Sequence, residues 1–117
     1  MIPGKYNIVC PKGSTLTQTF TYTINDAPVN LSGYSARMQV REKYESSNFI
    51  LSLTSASGGG IAFTSASAGV IDLYVSASAT GNIVAKDYVW DIELISPSNT
   101  VTRLLEGKFI VTPEVTR

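Results

Sequence analysis

The chain has 117 residues, a length that suits one domain with one hydrophobic core. Nine basic residues balance nine acidic ones and only 15% of the chain is charged, so it lacks the basic footprint that nucleic acid or an anionic membrane surface would need. It has no histidine and a single cysteine, which excludes a Ser-His-Asp or Cys-His catalytic arrangement, a zinc site built from cysteine and histidine, and an intrachain disulfide.

The amino end, MIPGKYNIV, carries no apolar run of signal-peptide length, and no window approaches the ~20 apolar residues of a membrane helix. Synthesis in a cytoplasm, without an export signal of its own, is the expectation. Residues 1–11 read as an extended arm or edge strand, with Pro3 and Pro11 limiting its pairing. Cys10 is expected to behave as a small, semi-buried hydrophobe.

Period two then dominates. From Thr15 to Ile24 the odd positions are all threonine, while Leu16, Gln18, Phe20, Tyr22 and Ile24 alternate with them. That pattern predicts a half-buried strand with an apolar face and a threonine face. Asn25-Asp26-Ala27-Pro28 supplies a turn. Tyr34, Ala36, Met38 and Val40 point inward on the next strand, and Ser35, Arg37, Gln39 and Arg41 point outward. A short apolar run, Phe49 to Leu53, precedes Gly58-Gly59-Gly60. Ile61 to Thr64 and Val70 to Val75 follow as strands, the second with Ile71, Leu73 and Val75 on one face.

Ser76 to Val84 is the one stretch that fits a helical turn, with Ser76 or Ser78 as its cap. Val89 to Ile95 and Val101 to Val111 close the set around the turn Ser96-Pro97-Ser98-Asn99. Seven to nine short strands at spacings of roughly ten residues predict an all-β, antiparallel, immunoglobulin-like β-sandwich, one domain over residues 1–117. Tyr88 stands where a tyrosine corner would sit, though a plain core aromatic explains it equally, and Trp90 is expected to be the largest core side chain. Gly107 suggests a bulge or a close backbone approach, with the inward phase changing around it, and Pro113 marks where pairing ends.

Little in the chain could carry chemistry. Asp91 and Glu93 share one strand face, where Arg37, Arg41 and Arg103 from neighbouring strands are expected to meet them as a structural ladder rather than a catalytic pair. The triple glycine is followed by Ile61-Ala62-Phe63, not by the Lys and Ser/Thr of a phosphate loop. No Asp-x-Asp-x-Asp run offers a calcium loop. Catalytic, cofactor and metal residues are accordingly expected to be none.

Three segments carry a resemblance: Leu31 to Arg41, Tyr88 to Leu94 and Arg103 to Gly107. With the intervening chain, from about Val29 to Arg117, they resemble small immunoglobulin-like virion proteins of tailed bacteriophages. They are also similar to the amino-terminal domain of phage baseplate upper proteins. The resemblance implies a non-catalytic structural or attachment part of a phage particle, at tail, baseplate, fibre, neck or capsid surface. It implies assembly in the host cytoplasm and location in the virion. The expected partners are other virion proteins, met in several symmetric copies such as a trimer or ring, with no nucleic acid and no membrane. Candidate contact residues are Ile2, Tyr6 and Ile8 on the arm, the threonines Thr17, Thr19 and Thr21, and Tyr44 and Tyr74. The alternative is a receptor- or carbohydrate-binding module at a fibre tip, which exposed aromatics clustered around Tyr44 and Tyr74 would favour.

Overall fold

The computed structural model describes residues 4–115. Eleven strands alternate with two short helical turns. In chain order these are β1 (Gly4–Lys5), β2 (Ile8–Pro11), β3 (Leu16–Thr21), β4 (Thr23–Ile24), β5 (Ala27–Pro28), β6 (Ser35–Arg41), β7 (Leu51–Thr54), β8 (Ile61–Ser65), a 3-10 turn (Ala66–Ala68), β9 (Val70–Val75), α1 (Ala77–Gly81), β10 (Asp87–Ile95) and β11 (Val101–Thr112).

The strands form a sandwich of two sheets, with β4 and β5 as a separate hairpin. The larger sheet runs β1-β11-β10-β6-β7, with β2 continuing the line of β1 along β11. The smaller sheet runs β3-β9-β8. Alternation is the reason each strand belongs where it does. On β10, Tyr88, Trp90, Ile92 and Leu94 are buried while the residues between them are not. On β6, Ala36, Met38 and Val40 meet them across the ladder. Ile71, Leu73 and Val75 of β9 close the core from the other layer.

Local signals explain the connections. Asn25 and Asp26 both take positive φ, 52° and 64°, the pair of conformations a two-residue hairpin turn requires. That turn makes Ala27–Pro28 a strand rather than part of the turn itself, and it leaves Ile24 exposed on a short second segment instead of on the core face of β3. Ser76 caps α1 by accepting the Ala79 N–H at 3.3 Å. Thr80, on that helix, is fully buried and donates its hydroxyl to the Ser14 carbonyl at 2.7 Å. The Tyr88 hydroxyl donates to the Val84 carbonyl at 2.7 Å, the upstream bond that a tyrosine corner makes.

One expectation about strand extent and one about phase need correction. Phe49 and Ile50 are exposed, and β7 begins only at Leu51, because a strand at the sheet margin needs a partner and Val40↔Leu51 is the last pair that β6 provides. The phase change on β11 lies at Leu104 and not at Gly107. Ile92 pairs with Leu105 and Glu93 with Arg103, so Leu104 is the extra residue of a bulge. Gly107 answers to the other possibility, a close approach. A Cβ there would collide with the carbonyl oxygen of Tyr6.

Candidate functional site

The arm folds onto its own domain. β1 and β2 pair with β11 in parallel, Gly4 with Leu105 at one end and Pro11 with Thr112 at the other. Ile8 is only 1% exposed, inserted beside Phe109 in the core. It therefore cannot face a partner, because β2 turns alternate residues inward and Ile8 and Cys10 take the inner positions. Tyr6 is 41% exposed, yet its groups are engaged. Its ring meets Phe20 edge-on at 5.3 Å between centroids. Its hydroxyl accepts a bond from Gln18 at 3.2 Å, and its carbonyl accepts the Trp90 indole N–H at 2.9 Å. Phe20 in turn stacks on Trp90 at 6.1 Å, so one aromatic run joins the arm to both sheets. Ile2 lies outside the described residues. Cys10 is fully buried, and burial pushes its thiol above the ordinary range, which keeps it protonated and unreactive.

The outer face of the larger sheet carries the expected ladder. Arg37 on β6 bonds Glu93 on β10 at 2.7 Å, and Arg103 on β11 reaches Asp91 at 3.3 Å and Glu106 at 3.8 Å. Lys5 of the arm joins through Glu106. Arg41 departs from the pattern. It donates to the Gln39 side chain at 2.7 Å and to the Ser46 carbonyl at 2.8 Å, holding the 42–50 loop against the sheet. Burial pushes the Asp91 carboxyl up, against the pull of Arg103, and Glu93 and Glu106 push it the same way. At the loop end, the hydrogen bond from Lys86 holds Glu42 below the usual carboxylate range. Tyr44, 68% exposed, stands at the rim of a depression of about 420 Å³ floored by Gln39, Val89, Asp91 and Arg103.

The outer face of the smaller sheet is different in kind. Thr17, Thr19 and Thr21 are exposed in one row on β3. Register places Tyr74, 54% exposed, beside Thr17, and Asp72 between Thr19 and Ala62. Among the described residues the Asp72 Oδ1 atom is shielded from solvent and has no hydrogen-bond partner. Four of the expected contact residues, Thr17, Thr19, Thr21 and Tyr74, are therefore brought together. Tyr44 is not among them, since it belongs to the loop of the opposite sheet, and the two exposed tyrosines form no common platform.

The backbone of β3 adds what side-chain pattern could not reveal. The Tyr74 N–H donates to Gly60 at 2.8 Å, away from β3, so Thr17↔Tyr74 is a pair without ladder bonds. Gln18 and Phe20 then bond to β9, in the same phase as the Tyr22 N–H, which donates to Gly69 at 2.8 Å. The N–H and C=O groups of Thr17, Thr19 and Thr21 point the other way, where no strand of the described residues pairs with β3. Among the described residues, no group of three or more His, Cys, Asp or Glu side chains is placed to hold a metal ion.

No family model and no curated protein matches the chain. Among solved structures it is similar to CopC from Methylosinus trichosporium OB3b, at 10% identity and a TM-score of 0.49, over 98% of this chain and 88% of that one.

Proposed function

We propose that the protein is a non-catalytic structural component of a tailed-phage particle, acting through contacts with other virion proteins. One observation carries the reading. The surface divides into a charged face whose side chains are largely spent on one another and the uncharged strand β3, whose exposed threonines and edge backbone are unpartnered among the described residues. A surface of the second kind binds protein by strand addition and side-chain packing. The three segments that carry the phage resemblance support it from another side, since they lie on β6, β10 and β11, adjacent strands of one sheet. The segments therefore form one structural unit.

The receptor- or carbohydrate-binding alternative wants aromatics on one surface, and Tyr44 and Tyr74 are on opposite layers. Mass spectrometry and particle reconstruction of virions purified from the phage that encodes the chain test the proposal. A stoichiometric, symmetry-related copy number is expected, and virions lacking the protein would sink it.

A further inference from the structure

We infer that the open edge of β3 is a homodimer interface, in which β3 of one copy pairs antiparallel with β3 of a second, centred on Thr19. The inference rests on reading β3 as the contact strand, but not on the assignment to a virion.

Sheet edges in folded proteins are ordinarily blunted by charge, proline, bulges or brevity, because a bare edge is a template for another strand. The other edges here are blunted. The β1–β2 edge is interrupted at Tyr6–Asn7 and carries Lys5 and Pro11. The β7 edge spans four residues, and β8 has a register shift between Ala62 and Ser65. β3 has none of these features. From Leu16 to Ile24 there is no charge, no proline and no glycine, and β-branched and aromatic residues fill most positions.

The strand is also complementary to itself. A two-fold axis through Thr19 sets Thr19 against Thr19 and Thr17 against Thr21 on the outer face, with Gln18 against Phe20 on the inner face. Every side chain then meets one from its own face. An axis falling between two residues would set outward threonines against inward Gln18 or Phe20 and is excluded by the pleat. The backbone agrees with the same axis. Thr17, Thr19 and Thr21 are the residues whose N–H and C=O groups face the open edge, and in this register each opposes another of the three. Each such pair exchanges two ladder bonds. Threonine pairs across strands are favourable, and an isologous contact of this kind closes as a dimer without growing further.

Sedimentation equilibrium of the full chain tests the inference. The expected mass is twice the 12.5 kDa of one chain. Thr19→Lys sets two ammonium groups against each other at the axis and should return the mass to one chain, with an unchanged near-ultraviolet spectrum from Trp90. Cross-linking reads the register independently of that variant's folding. At the axis the two Cα atoms stand about 5.5 Å apart, within disulfide reach. Thr19→Cys should therefore oxidise to a covalent dimer. Thr17→Cys alone should not, whereas Thr17→Cys mixed with Thr21→Cys should. A wild-type chain that stays monomeric, a dimer that survives Thr19→Lys, or efficient cross-linking through Thr17→Cys alone each overturns the inference. A monomer still found in virions would leave the virion reading standing, and a dimer absent from virions would do the reverse.

Discussion

Along β11 the larger sheet's outermost long strand is covered by the arm, whereas along β3 the smaller sheet's is left bare, although both strands are rich in β-branched residues and bury one side. Covering β11 takes dedicated parts. The Trp90 indole holds the Tyr6 carbonyl, and Asn7 accepts the Lys108 N–H at 3.0 Å where the arm steps between its two strands. Glu106 takes Lys5, and Gly107 has no side chain where the arm passes. β3 has no such apparatus. An edge is closed by residues chosen for it, and β11 has them where β3, among the described residues, does not.

The largest test of this contrast removes the pin. Trp90→Ala takes out a fully buried core side chain together with the donor to Tyr6, and should cost about 3–5 kcal/mol in denaturant unfolding. A loss under about 1 kcal/mol would mean that neither the core nor the arm depends on the indole. Gly107→Ala acts on the arm alone. Its methyl group must displace the Tyr6 backbone, at a cost of about 1–3 kcal/mol. Amide exchange should quicken at Tyr6 and Lys108 and stay unchanged on β9. Uniform acceleration across both sheets would erase the distinction between a covered and an open edge. Lys5→Ala should do least. Its pair with Glu106 is largely exposed on the lysine side, so a few tenths of a kcal/mol to ~1 is expected at low salt, vanishing at high salt. A loss indifferent to salt would point to packing of the lysine stem instead.

Much of the fold is legible from period two, because side-chain alternation is local to a strand. β6 and β10 follow it residue by residue, and the pairing of Arg37 with Glu93 and of Arg103 with Asp91 follows from their outward phase. What depends on a partner far away in sequence is not legible in this way. Ile8 reads as a free apolar residue until Phe109 is set beside it. The Leu104 bulge is defined by β10, not by β11 itself. The threonine face of β3 can be read from the alternation, yet the direction of its backbone donors follows only from the bond that Tyr74 makes to Gly60 on the far side of β9. Tyr44 and Tyr74 both read as exposed aromatics in sequence, and only the fold sets one on the β6–β7 loop of the larger sheet and the other on β9 of the smaller.

The parallel pairing of β2 with β11 has a mechanical consequence. Gly4 lies beside Leu105 and Thr112 beside Pro11, so tension applied between Gly4 and Thr112 draws the two strands past each other along their length. The ladder bonds from Phe109 to Thr112 then carry load together, in shear, and cannot be peeled open one at a time as a hairpin can. Forced rupture is governed by the unfolding barrier. A single-molecule pull across these points should meet a higher peak force than a pull applied between Asp87 and Ile110, the open end of the β10–β11 hairpin, which would unzip β10 from β11 bond by bond.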